Sequence, residues 1–265
     1  MRVVAVGDIA CPPGVAPSPG SCRQQDTADL ARSLQPEAVL ALGDLQYETG
    51  SHSAFQNSYD ESWGSLKPLT YPVPGNHEYR TAGAEGYYQY FGGQRGAAPG
   101  YYSAQLGAWR AYFLNTNCDR VDCAAQREWL RAELANQPAR CSLFAMHHPR
   151  FSSGEHGSQR FTRSFLRIGY QNGLDLALGG HDHHYERFRR LDADGRRDAG
   201  HGFFQFVSGA GGKSHYDADP PRAGSAFRND TAFGVLSLRL GADKFRYAFK
   251  TVGGRTPDAG VHYCR

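Results

Sequence analysis

The sequence predicts an α/β fold in which β-sheets pack face to face and helices cover their outer faces. Short apolar strands alternate with amphipathic helices from residue 3 to residue 178. Near the C-terminus the apolar residues instead recur with a period of two, at 204–207 and then in two runs, 234–240 and 244–251, joined by a short turn. This second pattern is typical of an antiparallel meander. Strands that alternate with helices, followed by consecutive strands, therefore favour two packed sheets with helices on their outer faces.

In the first part of the chain, five apolar runs are too short for helices and predict buried strands. They are residues 3–6, 38–42, 111–114, 143–146 and 174–178. Longer segments carry apolar residues at helical spacing, as Ala28, Ala31 and Leu34 do in the first of them. The predicted helices are residues 24–34, a segment around 54–66, 124–134 and 161–170. Two stretches rich in Gly and Pro, 12–20 and 92–100, predict surface loops.

Length and charge limit the possible functions. With 265 residues and 40% hydrophobic content, the chain can form one sizeable core, and we expect a single domain over residues 1–265. The net charge of +3 gives no overall field that favours nucleic acid. No apolar run is long enough to cross a bilayer. We therefore expect neither nucleic acid nor a membrane as a partner, and the oligomeric state stays open.

Five arginines are concentrated in a short stretch after residue 186. Two interpretations are possible: a solvated, arginine-rich hairpin, which is the commoner case, or a rim that attracts phosphorylated ligands. The residues are Arg187, Arg189, Arg190, Arg196 and Arg197.

The chain contains six cysteines, an even number, without the CxxC spacing of a structural zinc site. Cys11 and Cys22 flank a Pro/Gly loop, and Cys118 and Cys123 flank a short turn. We propose these two pairs and Cys141–Cys264, one of many possible connectivities, with reduced cytosolic thiols as the alternative. Disulfides favour an exported location. Since the first residues lack the features of a signal peptide, we expect a mature, secreted or periplasmic form.

Potential metal ligands occur where five apolar stretches end, usually beside a glycine. In open α/β sheets, ligands bind at the carboxyl ends of strands, so these side chains are expected at one edge. Each stretch alone is more often a turn or a helix N-cap, but the five together in this order predict a metal centre. The segments are Gly7-Asp8, Gly43-Asp44, Gly75-Asn76-His77, His147-His148 and Gly180-His181-Asp182-His183.

These motifs resemble the five-block pattern of the calcineurin-like metallophosphoesterases and, within that superfamily, the purple acid phosphatases. Most superfamily members carry a histidine two residues after the first aspartate, where this chain has Ala10. Purple acid phosphatases instead supply a tyrosine three residues after the bridging aspartate, and Tyr47 occupies that position. The resemblance covers nearly the whole chain. It implies a four-layer α/β/β/α sandwich.

The resemblance also implies two metal sites. The first, Fe(III) in the family, would take Asp8, bridging Asp44, Tyr47 and His183. The second, Zn(II), Mn(II) or Fe(II), would take Asp44, Asn76, His147 and His181. Carboxylate and phenolate suit a hard trivalent ion, whereas imidazole and an amide oxygen suit a softer divalent one.

The implied activity is hydrolysis of phosphate monoesters, as in acid phosphatases, by in-line attack of a metal-activated hydroxide. His77 and His156 would face the substrate, and His156 would protonate the leaving group. Plant enzymes have a second histidine where this chain has Gly157, which leaves the substrate preference open. Two alternatives remain: a phosphodiesterase that uses the same metals, and a metal-stabilised binding module without catalysis.

A glycine-rich loop, 208–216, follows the strand at 204–207. Glycine-rich loops can bind phosphate through backbone N–H groups, but this one lacks the spacing of a nucleotide-binding P-loop. Similar loops lie near the active-site mouth in the family. We therefore expect Lys213, His215 or Tyr216 to contribute to substrate binding, and we predict His215 as the substrate-binding residue of this loop.

Overall fold

The strands of the described residues form two sheets, of six and seven strands. The computed structural model describes residues 1–92, 97–217 and 219–265, so the predicted loop at 92–100 lies partly outside the described residues. Numbered along the chain, the strands of the first sheet are β1 (Arg2–Val6), β2 (Ala38–Leu42), β3 (Thr70–Val73), β11 (Gly234–Leu240), β12 (Lys244–Thr251) and β13 (Asp258–Tyr263). Those of the second sheet are β4 (Tyr102–Leu106), β5 (Trp109–Phe113), β6 (Cys141–Ala145), β7 (Leu176–Gly179), β8 (Tyr185–Phe188), β9 (Phe204–Ser208) and β10 (Ser225–Asn229).

The strand order in the first sheet is β13-β12-β11-β1-β2-β3, and in the second it is β10-β8-β9-β7-β6-β5-β4. The strands β1, β2 and β3 pair in parallel, as do β5, β6, β7 and β9. The remaining pairs are antiparallel, including β1 with β11 at the centre of the first sheet. Helices connect most of the parallel strands, as parallel pairing requires.

The helices are α1 (Gln24–Ser33), α2 (His52–Ala54), α3 (Asp60–Trp63), α4 (Glu85–Phe91), α5 (Cys123–Asn136) and α6 (Arg163–Gln171). The helix expected around 54–66 is composite. A π-helical stretch, Phe55–Tyr59, joins α2 to α3, and a 3-10 helix, Gly64–Leu69, continues after it. Pro68 lies in that last turn, which suits an i→i+3 pattern better than a continuing α-helix.

Three hydrophobic layers hold four structural layers together. Between the sheets, inward residues such as Leu40 and Leu42 pack against Leu143 and Leu176. The outer face of the first sheet packs against α1, α3 and α4, and that of the second sheet against α5 and α6. Alternate residues of one strand face different layers, as Val3 and Val4 do. The α/β/β/α prediction is confirmed.

Three disulfides join Cys11 to Cys22, Cys118 to Cys123 and Cys141 to Cys264, which confirms the predicted pairing. The third one links the residue after β13 in the first sheet to the first residue of β6 in the second. Among the described residues, no helix has the length and apolar character needed to cross a membrane.

Candidate metal centre

The predicted ligands follow parallel strands and meet at one edge of the two sheets. Asp8, Asp44 and His181 have positive φ angles of 61°, 49° and 73°, which turn the chain sharply where each strand ends. Left-handed backbone costs about 1–3 kcal/mol for a residue other than glycine and is concentrated at functional sites. The local backbone is therefore shaped to bring these side chains inward.

Two glycines make the close approach possible. A Cβ on Gly43 would lie 2.6 Å from His147 Nδ1, and a Cβ on Gly75 would lie 2.2 Å from Asp44 Oδ1. Neither space could hold a larger residue without displacing a candidate ligand. Gly43 also has a φ of +81°, which glycine adopts at little cost.

The first donor set is rich in oxygen. The Tyr47 hydroxyl lies 2.9 Å from Asp8 Oδ1 and 3.2 Å from Asp44 Oδ2. His183 Nε2 lies 2.9 Å from the same hydroxyl, and 3.5 Å from Asp8 Oδ1. All four side chains are buried. The structure thus brings together the residues predicted for the first site.

The second donor set contains more nitrogen and shares Asp44. His147 Nε2 lies 3.2 Å from Asp44 Oδ2, 3.1 Å from Asn76 Oδ1 and 3.2 Å from His181 Nδ1. His147 Nδ1 lies 2.8 Å from the Leu42 carbonyl oxygen, to which it donates, so Nε2 keeps its lone pair in the neutral ring. This arrangement is typical of metal-binding histidines.

Both sets fit metal ions. Ligands that bind an ion at about 2.0–2.2 Å lie roughly 3.0–3.5 Å from one another, which is the spacing observed here. Burial and the carboxylates of Asp44 and Asp8 raise the pKa of Tyr47, so a phenolate at this position requires a strong positive charge nearby. Burial favours the neutral form of His147, but Asp44 outweighs it and raises the pKa of His147 to about 9. The cavity therefore favours cations.

Glu78 supports two loops of the second set, those of Asp44 and Asn76, a role that the sequence analysis did not assign. Its buried carboxylate accepts hydrogen bonds from the N–H groups of Asp44, Leu45 and Gly75 at 2.9, 2.9 and 2.6 Å. Burial and the charge of Asp44 raise the pKa of Glu78 to about 7. Its position directly after His77 in the Asn76-His77-Glu78 motif was the available signal.

A cleft of about 300 Å³ opens over the metal centre. His77 lies in its wall with Nδ1 2.8 Å from the Glu48 carbonyl oxygen, which leaves Nε2 as the atom that can exchange a proton. His156 lies in the wall too, and its ring stacks on His181 with centroids 4.5 Å apart. The backbone N–H of His156 donates to Asp182 Oδ1 at 2.8 Å, which fixes the loop.

The structure does not place His215 in the cleft, contrary to expectation. Its Nδ1 lies 3.0 Å from the carbonyl oxygen of His183, and its ring packs against Phe233 at 4.0 Å. Two residues of the same loop, Lys213 and Tyr216, do line the cleft, and Tyr216 stacks on His183 with centroids 4.0 Å apart. His215 is directed away from the cleft because its ring packs against Phe233 and its Nδ1 lies beside the His183 carbonyl oxygen.

Two further histidines adjoin predicted ligands. His148 is buried and its Nδ1 lies 2.8 Å from the Thr116 hydroxyl, while burial and the charge of His147 lower its pKa to about 3. His184 forms a hydrogen bond with Glu186, with 3.2 Å between Nε2 and Oε2. Both therefore support the loops that carry His147 and His183.

The arginines after residue 186 do not form one surface. Arg187 makes two hydrogen bonds to Asp258, at 2.9 and 3.0 Å, and Arg190 lies over the ring of Phe204. The cleft is lined by other cations, Arg80 and Lys213, among the described residues.

A metallophosphoesterase is the class of protein that this fold and donor arrangement define. The sequence profile of the calcineurin-like phosphoesterases matches residues 1–185, and the chain belongs to that family. Among curated relatives, it is 26% identical over 221 residues to tartrate-resistant acid phosphatase type 5 of Rattus norvegicus, covering 70% of this chain and 67% of that protein. It is 23% identical over 231 residues to purple acid phosphatase 23 of Arabidopsis thaliana, covering 72% and 48%.

The fold is similar to that of purple acid phosphatase PPD1 from seeds of yellow lupin (Lupinus luteus), with a TM-score of 0.77 and 21% identity over 99% of this chain and 53% of that one. The chain thus spans about half the length of these two plant proteins. Within its family it is purple acid phosphatase-like, and such relatives imply a binuclear metal centre.

Proposed function

We propose that this metallophosphoesterase hydrolyses phosphate monoesters with Fe(III) in the first donor set and Zn, Mn or Fe(II) in the second, as a single domain and in an exported location. The observation that carries the proposal is the position of Asp44, whose Oδ2 lies 3.2 Å both from Tyr47 Oη of one set and from His147 Nε2 of the other. A carboxylate between an oxygen-rich and a nitrogen-rich set suits a mixed pair of ions.

When bound, two metal ions lower the pKa of water and neutralise charge on phosphate oxygens. The protein adds the donors and acceptors of the cleft. We propose that His77 faces the phosphate with Nε2. Its Nδ1–H donates to the Glu48 carbonyl oxygen, so Nε2 donates to a phosphate oxygen when the ring is protonated. Lys213, whose Nζ is paired with the carboxylate of Glu48, lies on the same wall and adds positive charge.

We propose that His156 delivers a proton to the leaving oxygen. Its backbone is fixed by Asp182, its ring is stacked on His181, and the side chain is exposed at the cleft, so an alcohol leaving group can reach it. His215 is not included as a substrate contact, because it lies behind His183.

The first test compares kcat/KM for p-nitrophenyl phosphate with that for bis(p-nitrophenyl) phosphate, on protein with measured iron and divalent-metal content. We expect a preference for the monoester of at least about 100-fold, about 2.7 kcal/mol in transition-state free energy. A diester preference would assign the same site to a phosphodiesterase. Full metal content without turnover of either ester would contradict catalysis.

The second test concerns His156. The His156→Ala variant should lose more activity on an alkyl phosphate, which has a poor leaving group, than on p-nitrophenyl phosphate, because general acid catalysis matters most for basic leaving groups. The control is His201→Ala, at an exposed position outside the cleft. Equal losses on both substrates would contradict proton transfer by His156.

A further inference from the structure

A second polar cavity lies beside the cleft and has no assigned role. Its volume is about 420 Å³, and three arginines from separate parts of the chain line it, namely Arg150, Arg160 and Arg222. We call it the arginine pocket. It shares no lining residue with the cleft over the metal centre, so the two cavities are distinct.

The described lining of the arginine pocket contains three arginines and one carboxylate, so its positive charge is only partly balanced. Asp194 also lines the pocket, but its carboxylate is paired with Arg163. Within the described part of the chain, no carboxylate lies within 4.0 Å of a guanidinium nitrogen of the three arginines. Three cations therefore face one cavity without acidic partners of their own.

Arg150 is the most constrained of the three. Its Nε donates to the carbonyl oxygen of Ala193 at 3.1 Å, and its guanidinium lies 4.8 Å from the ring centroid of Phe151. Burial and the positive charges of Arg163, Arg160 and Arg222 lower its pKa, against the opposite influence of Asp194. A half-buried guanidinium with like charges around it is costly unless an anion compensates it.

The shape and chemistry of the pocket favour a small oxyanion. Phe151 and Phe188 are buried and give an apolar floor, while the three arginines supply hydrogen-bond donors. The planar fork of arginine matches two oxygens of a phosphate group, and a site with several such forks favours a dianion.

The pocket is connected to the catalytic cleft by one loop. Ser158, on the pocket side, accepts a hydrogen bond from the Ser152 N–H at 3.2 Å. His156, two residues earlier, lines the cleft. The guanidinium of Arg222 lies 3.3 Å from where a Cβ on Gly157 would be, so the loop passes directly between the two cavities.

We propose that the arginine pocket binds a phosphate group, at a site separate from the metal centre. The phosphate group can come from inorganic phosphate or from the second phosphate of a doubly phosphorylated substrate. Both sources present the same dianionic group to the arginines.

The test uses Arg160→Gln/Arg222→Gln, which removes two exposed guanidinium groups and leaves the metal ligands unchanged. Inorganic phosphate is titrated calorimetrically into protein of known metal content. We expect two classes of phosphate site in the unmodified protein, and a loss of at least 10-fold in affinity at one of them in the variant. The competitive inhibition constant of phosphate against p-nitrophenyl phosphate should not change.

The matched control is Arg131→Gln/Arg140→Gln, which removes the same charge from exposed positions on α5 and just before β6. It should keep both phosphate sites. One phosphate site in the unmodified protein, or equal phosphate affinities in both double variants, would overturn the proposal. Loss of one site in protein that hydrolyses no ester would support the pocket and contradict only the proposed function.

The source of the phosphate group is resolved by kinetics on fructose 1,6-bisphosphate and fructose 6-phosphate. If the substrate carries it, Arg160→Gln/Arg222→Gln should lower the ratio of kcat/KM for the two sugars by at least 10-fold. If inorganic phosphate is the ligand, this ratio should stay constant and a non-competitive part of phosphate inhibition should disappear.

Discussion

The two ends of the β-sandwich differ in what their residues do. At the end where the parallel strands terminate, polar side chains converge and three predicted ligands adopt left-handed backbone. At the opposite end, β6 begins at Cys141, which is bonded to Cys264, and Trp109 Nε1 donates to the carbonyl oxygen of Gly241 at 2.8 Å. The comparison teaches that the predicted ligands converge at one end, whereas a disulfide between the two sheets and a hydrogen bond from a buried tryptophan secure the other.

This separation makes the two ends independently testable. Changes at the carboxyl ends of the strands should alter metal binding and turnover, and changes at the opposite end should alter the free energy of unfolding. Sites far apart in a structure usually contribute additively.

The largest effect is expected for Asn76→Ala, which removes an oxygen donor 3.1 Å from His147 Nε2. We expect the second metal to be lost and kcat/KM to fall by about 10³, because both ions act on the same phosphate group. Metal analysis and steady-state kinetics measure this. Asn136→Ala, at the exposed end of α5, is the matched control. Unchanged activity with a full second site would contradict the ligand assignment.

At the opposite end, Cys141→Ser/Cys264→Ser should lower the free energy of unfolding by about 5 kcal/mol. The reason is that removal of the crosslink opens a long loop and increases the conformational entropy of the unfolded chain. The two cysteines are 123 residues apart. The control, Cys118→Ser/Cys123→Ser, opens a loop with a separation of 5 and should cost about 2 kcal/mol. Denaturant titration measures both. A large loss of kcat/KM in folded Cys141→Ser/Cys264→Ser protein would contradict the claim that this end affects stability and not activity.

Glu78→Gln should affect both quantities, because this side chain supports the ligand loops from within the core. An amide can accept at only one atom, so at least one N–H among those of Asp44, Leu45 and Gly75 loses its acceptor. We expect a loss of about 1–3 kcal/mol in stability and of 10- to 100-fold in metal affinity. Glu128→Gln, exposed on α5, should change neither. Normal metal affinity in Glu78→Gln would leave Glu78 with a role in stability alone.

The smallest effect concerns His262 in β13, whose ring stacks on Phe204 at 3.7 Å between centroids. Burial and the charges of Arg187 and Arg190 lower its pKa to about 4, against the opposite influence of Asp258. The folded pKa lies below the unfolded value, so protonation favours the unfolded state. Its contribution to stability is present above about pH 6.5 and is lost as the pH falls towards 4.

His262→Phe removes this proton uptake and keeps an aromatic ring. The free energy of unfolding should then decrease less steeply between pH 6.5 and 4 than in the unmodified protein, as measured by denaturant titration at several pH values. His201→Phe, at an exposed position, should keep the original slope. Identical slopes in all three proteins would contradict the assignment of this pH dependence to His262.

Much of the fold could be predicted from the sequence because buried parallel strands are short apolar runs between helices. The missed strands lacked this signal. Five strands were not predicted: β3, β4, β8, β10 and β13. Of these, β3 contains Pro72 and every residue of β10 is only partly buried, so neither has a clear pattern. The composite segment after residue 52 also has helical periodicity, which does not distinguish α from π or 3-10 geometry.

Most ligand positions were accessible for a related reason, because Asp8, Asp44, His147 and His181 come two residues after the end of a strand. Tyr47 was assigned only through the family resemblance. The direction in which a loop side chain points could not be predicted from the sequence, as His215 demonstrates. Nor could the arginine pocket, because Arg150, Arg160 and Arg222 are brought together only by the fold. The five arginines that are close in sequence instead have different partners in the structure.

The central place of β1 has a consequence for synthesis of the chain. β1 pairs with β2 on one side and with β11, from residue 234 onward, on the other. Until the ribosome has released β11, β1 remains an edge strand with unpaired backbone groups and apolar side chains. Such an edge is prone to aggregation, so we expect chains that stop before Gly234 to precipitate or be degraded instead of accumulating as partly folded enzyme.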